Sequence, residues 1–214
     1  MSLAVEVGLL ADLVQNDEEG AEWFRDTLEQ VNCVLREQGL AEHREPEKLP
    51  RPESRCPIGS YPYSFLHHLR RVYARCLVDP LWSPQPAAPG EDPAEDDVVD
   101  RESNMFTSHL LCHSDCEGLY LPIDFQDIII DDKQQERIPG GLLGSSYRLH
   151  EELVQLAPRL GIGLENGSLS DGEVSRLTKE IDGQQHLWIE ILVWFSLFEA
   201  ACLSIRHQSA ICFS

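Results

Sequence analysis

Residues 109–117 read His-Leu-Leu-Cys-His-Ser-Asp-Cys-Glu, the densest group of ligating and acid–base side chains in the chain. A metal centre would draw on His109, Cys112, His113 and Cys116, all of zinc-ligand type. Cys112 and Cys116 have the spacing of a ligand pair, but no second pair matches it. A further ligand has to come from a distance, from His67, His68 or His150. No metal and no cofactor is therefore favoured. A catalytic site would use His113 as general base, Asp115 or Glu117 to orient it, and Cys112 or Cys116 as nucleophile. Residues two apart on a strand face one side, yet a working triad usually closes over distant segments. The reading preferred over both is a hairpin turn in which Ser114 and Asp115 supply hydrogen bonds.

Two weaker sites are for anions. Gly140-Gly141-Leu142-Leu143-Gly144-Ser145-Ser146 is glycine-rich and opens a helix, so backbone N–H groups, Ser145 and Ser146 could hold a negative group. It lacks the Walker lysine and the dinucleotide spacing. His67, His68, Arg70, Arg71 and Arg75 form the one dense basic group. His67, Arg71 and Arg75 are its candidates for an anionic ligand, and pairing with acids elsewhere in the chain is the plainer expectation. No nucleophile elbow, P-loop or H-E-x-x-H motif occurs.

These residues need elements to carry them. Ala4 to Leu10 reads as a first strand or a helical lead-in. Asn16-Asp17-Glu18-Glu19 opens a helix with Ala21, Phe24, Leu28, Val31 and Leu35 on one face, stopped at Gly39. A second helix spans roughly 62–78. Residues 80–102 carry five prolines and an acidic run, which predicts a flexible internal loop. Met105 to Cys112 and Gly118 to Ile123 read as two hairpin strands, and Phe125 to Ile130 as another short one. Ser145 or Ser146 caps a helix with Leu149, Leu153, Leu156 and Leu160 on one face. Ser170-Asp171-Gly172-Glu173 opens the next. Leu187 to Ile205 is long and apolar, but Glu190 and Glu199 interrupt it, which predicts a core helix and not a membrane span. The two glutamates lie on opposite sides of such a helix, so at least one is expected at the surface, and His186 can pair with Glu190. Residues 209–213 suit a terminal strand. The fold expected is α+β: one domain over 1–214, four or five helices packed on a small, mainly antiparallel sheet.

Composition narrows the function. The chain has 214 residues, 17 Lys and Arg against 37 Asp and Glu, and a net charge of −20. Residues 81–140 alone hold three basic and fourteen acidic side chains. Phosphate binding needs clustered Lys and Arg, so general nucleic-acid binding is excluded and no nucleic-acid partner is expected. Met1 to Leu10 has no Lys or Arg and no cleavage-site pattern, which predicts no secretory leader. Seven irregularly spaced cysteines then read as reduced thiols in the cytoplasm. The function expected is a non-enzymatic acidic protein that engages a basic protein partner. It is similar to immunity proteins and inhibitors in charge and size only. The alternatives are a small-molecule hydrolase or metal-dependent enzyme around His113, Asp115 and the Gly140–Ser146 loop, or a structural or regulatory subunit. If a basic partner exists, the first helix and the acidic loop are its contact surface.

Overall fold

Period-two strands build a sheet here, and 3.6-residue stripes build the helical layers on its two faces. In the computed structural model, residues 2–50, 53–131 and 136–214 are described. β1 (Ser2–Val7) runs through Gly8 into α1 (Leu9–Asn16) and α2 (Glu18–Glu37). The Asp17 side chain accepts from the Gly20 N–H, and Glu18 and Glu19 fill the first turn, where negative charge meets the positive end of the helix dipole. The stripe Ala21, Phe24, Leu28, Val31 and Leu35 is buried throughout. β2 (Ser60–Pro62) and α3 (Ser64–Val78) follow, then a 3-10 turn at Pro93–Glu95, α4 (Asp97–Ser103), β3 (Gly118–Leu121), β4 (Ile129–Ile130), β5 (Leu142–Ser145), α5 (Ser146–Leu156), α6 (Asp171–Asp182), α7 (Trp188–His207) and β6 (Ile211–Phe213).

The strands form one sheet in the order β2-β1-β6-β3-β5-β4. All neighbours are antiparallel except β3 and β5. The last strand is therefore central, pairing Ile211 with Val7 on one side and with Tyr120 on the other. Alternation sends Tyr120, Ile211 and Phe213 into a core shared with α3, α5, α6 and α7. It sends Leu119, Leu121 and Cys212 to the opposite face, where α2 packs with Leu10 of α1. The protein is α+β with a mainly antiparallel sheet, and the described residues form seven α-helices where four or five were expected. α7 is apolar on nearly all sides because it is the core helix of the thicker layer.

Several local expectations need correction. Residues 105–117 form turns and not the first strand of a hairpin. Their backbone is held by two polar side chains in place of a ladder. Glu152 on α5 accepts from the N–H groups of His109 (2.9 Å) and Leu110 (2.7 Å), while Arg70 on α3 donates to the carbonyls of Leu110 (2.9 Å) and His113 (2.6 Å). The strand at 125–130 shrinks to Ile129–Ile130. Glu190 and Glu199 are both buried. Glu199 meets Arg55 at 2.7 Å, and Glu190 lies 3.6 Å from His68, not against His186.

Candidate functional site: an acidic helix face

Turns set the first predicted cluster apart into separate roles. His109 is buried with both ring nitrogens engaged, Nδ1 accepting from the Ser145 N–H (2.9 Å) and Nε2 against the Gln126 carbonyl (3.1 Å). Burial lowers its pKa. His113 stacks on Tyr120 with ring centroids 4.0 Å apart and meets Phe213 edge-on. Burial pushes its pKa down to about 4, so the ring is neutral at physiological pH. Its two nitrogens face the carbonyls of Ser114 and Leu119, not solvent. Cys112 is buried with its thiol on the Ser103 carbonyl, Cys116 is exposed, and Glu117 is exposed. Among the described residues no three His, Cys, Asp or Glu side chains converge as a metal-binding group. Asp115 does gather partners, with His67 at 3.2 Å and an ion pair to Arg70. Burial alone would raise its pKa. The His67 hydrogen bond and the Arg70 charge outweigh burial and hold it at about 2.

The basic group is already answered from within the chain. Arg75 donates to Asp96 at 2.7 Å, Arg71 stands 3.3 Å from the same carboxylate and 3.6 Å from Glu91, and both guanidiniums lie 5.8 Å from the centre of the Trp82 ring. The glycine-rich segment is packed, not open. Ser145 caps α5 and donates to the Ile123 carbonyl, Ser146 shares a hydrogen bond with Ser204, and both serines are fully buried. A cavity of about 620 Å³ between β1, α1 and α7 is lined partly by Cys56, whose thiol burial pushes up to about 11, out of the nucleophile range.

The surface of α2 turned away from the sheet differs from all of these. Glu18, Glu22, Asp26 and Glu29 recur at steps of four, four and three, with Glu19 beside them, and all five are exposed. Each step advances a carboxylate by about 4.5–6 Å along the axis. That is the same order as the roughly 3.4 Å of axis per phosphate on one DNA strand. Among the described residues none of the five has a cation within 4.0 Å. The helix's own arginines are taken, Arg25 by Glu47 at 2.8 Å and Arg36 by Glu42 at 3.4 Å. Beside this ridge a groove of about 440 Å³ is lined by residues that include Trp23, Asp26, Glu29, Glu117, Glu136 and Arg137. Arg137 is itself tied to Glu37 at 2.8 Å and Asp131 at 3.2 Å.

Sequence reasoning identified α2 by its apolar stripe and named this helix, with the acidic loop, as the contact surface for a basic partner, without naming Glu22, Asp26 or Glu29. The signal was present, because an exposed face at the same period as a buried one is implied by the helix itself. Trp23 was missed because it lies outside the apolar stripe, and its 61% exposure is a tertiary fact.

A protein-family model described as "Putative DNA-mimic protein" matches residues 1–213. No curated protein and no solved structure matches. The family match corrects the partner expectation. Likeness to DNA is what describes the family, so an unspecified basic protein is too broad a partner class.

Proposed function

This chain belongs to the family described as "Putative DNA-mimic protein", and from that premise we propose that it is a non-catalytic binding protein whose α2 ridge occupies the DNA-binding face of another protein. The observation that carries this reading is the row of five exposed carboxylates on one helix with no cation within 4.0 Å among the described residues. DNA-binding faces are built from Lys, Arg and backbone N–H groups aimed at phosphates. A helix that presents anions at similar intervals offers those donors acceptors without base edges, so it competes for the phosphate-contacting part of the site. Long-range attraction between the two faces speeds the encounter and falls with salt.

The internal ion pairs support α2 over the rest of the acidic surface. Asp96, Asp115, Asp131 and Glu199 each face an arginine of this chain. Asp96, Asp115 and Asp131, three of the fourteen acids between 81 and 140, are thus matched by an arginine of this chain, and the net charge overstates what any one face shows a partner.

The test starts from immobilised protein and extract of the native host. Proteins retained by the wild type, eluted by short duplex DNA and lost with Glu18→Gln/Glu19→Gln/Glu22→Gln/Asp26→Asn/Glu29→Gln are purified. Each is then bound to labelled duplex DNA, and the free chain is added. The wild type is expected to displace the DNA and the neutralised variant is not. Retention that duplex DNA does not reverse, or that the variant keeps, overturns the reading.

A further inference from the structure

We infer that the groove beside Trp23 takes an arginine side chain of the partner in preference to a lysine. The inference rests on the mimic reading of α2 and says which residue of the partner that face selects. Trp23 is the most exposed large aromatic among the described residues, at 61%, and it lines the groove together with four carboxylates. An exposed tryptophan ring presents a negative π-face, and a guanidinium can lie flat on it while its N–H groups reach carboxylates at the rim. Those carboxylates are present. Asp26 and Glu29 come from α2, and Glu117 and Glu136 from the facing loops.

The chain itself shows which cation such a combination holds. Trp82 receives the guanidiniums of Arg71 and Arg75, each 5.8 Å from its ring centre, while Asp96 takes Arg75 at 2.7 Å. On α2 the same pair of residue types, a tryptophan with a carboxylate within one turn, stands ready without a guanidinium over the ring among the described residues. Arg137, the groove's cation among the described residues, is turned to Glu37 and Asp131. An ammonium is a compact charge that would satisfy the carboxylates without the flat stacking surface, so the ring is what separates arginine from lysine.

The experiment uses the full chain with two probes, nona-arginine and nona-lysine, titrated at about 50 mM and 150 mM salt. Binding is read by calorimetry, and by the Trp23 emission taken as the difference between wild type and Trp23→Leu. Nona-arginine is expected to bind about two- to fivefold more tightly than nona-lysine, the scale of one exposed cation–π contact. Trp23→Leu should erase that preference, while Glu22→Gln/Asp26→Asn weakens both peptides alike. Melting curves confirm that each variant is folded. Equal affinity of the two peptides in the wild type, or a preference that survives Trp23→Leu, overturns the arginine assignment while the ridge reading stands. Failure of both peptides to bind at either salt overturns the ridge reading as well.

Discussion

Asp96 accepts from Arg75 at 2.7 Å through Oδ2 and from the Val98 N–H at 2.9 Å through Oδ1, so one carboxylate both caps α4 and fastens it to α3. This contact gives the proline-rich acidic stretch a fixed place on the fold at its C-terminal end. Burial alone would raise the Asp96 pKa, but the Arg75 hydrogen bond and the N–H groups of Val98 and Val99 outweigh it and lower it.

Removal of that carboxylate strips a cap and leaves Arg71 and Arg75 without their shared partner. Asp96→Ala is expected to lower unfolding free energy by about 2–3 kcal/mol, less than a fully buried pair would cost because Arg75 is partly exposed. Urea titration measures it. Asp96→Asn, which can still cap, should recover part of the loss. Because the folded pKa is depressed, this stability is present above the ordinary carboxylate range and fades as pH falls through the folded value. A wild-type-minus-variant difference that stays flat down the acid limb would contradict the pairing.

Glu152 titrates in the opposite sense. Burial raises its pKa from 4.5 to about 7, against the lowering effect of hydrogen bonds from the His109 and Leu110 N–H groups and the Ser108 hydroxyl. The unfolded chain releases this proton near 4.5 and the folded one holds it until about 7. Its contribution therefore falls as pH rises between those values and is level above. His113 runs the other way, since a pKa pushed from 6.5 to about 4 adds stability as pH rises between them. The isolated Glu152 effect is the difference between wild type and Glu152→Gln, expected to change by about 1–3 kcal/mol from pH 5 to 7. Urea midpoints at the two pH values give it, and no change would mean that Glu152 is ionised throughout.

The same residues explain what the sequence made legible. The α2 stripe, the Ser145 and Ser170 caps and the core character of α7 are local patterns, readable because period and capping chemistry act within a few residues. Residues 105–112 have the apolar content of a strand, yet their backbone partners are Arg70, some forty positions earlier, and Glu152, some forty later. No local pattern encodes that substitution of two distant polar side chains for a ladder. His109 and His113 were legible as residues of interest and not as buried, hydrogen-bonded packing groups. Their neighbours Phe125, Tyr120 and Phe213 meet them only in the folded state. Conversely, the acids of α2 were plain in the sequence. That none of the five on the ridge has a cation within 4.0 Å among the described residues became visible only when other acids proved to be paired.

Gly118 begins β3 at φ +131, and a Cβ there would come within 2.7 Å of His113 Cε1. The missing side chain is what lets the imidazole lie flat on Tyr120. Gly118→Ala should cost more than about 2 kcal/mol, from backbone strain together with displacement of the ring. Loss of the near-ultraviolet tyrosine signal should accompany it. A variant with wild-type stability and spectrum would show that the ring has room to move.

The α2 ridge should be a stability cost that binding recovers. Glu18 and Glu22, then Glu22 and Asp26, are like charges one helical turn apart, and such pairs destabilise by about 0.2–0.5 kcal/mol each. A helix selected for stability alone would alternate them with Lys, whereas here the two arginines pair with Glu47 and Glu42 instead. Glu18→Gln/Glu22→Gln should therefore raise the melting temperature at low salt by about 1–4 °C for a chain of this size. The gain should shrink as added salt screens the repulsion. The same variant should bind nona-arginine more weakly. A fall in melting temperature on neutralisation would instead give these glutamates a structural role through the α2 N-terminus, where the dipole favours negative charge, and would weaken the case that they are held for a partner. The two outcomes separate because dipole stabilisation acts mainly on Glu18 in the first turn. Glu22→Gln alone, beyond that turn, should keep the increase.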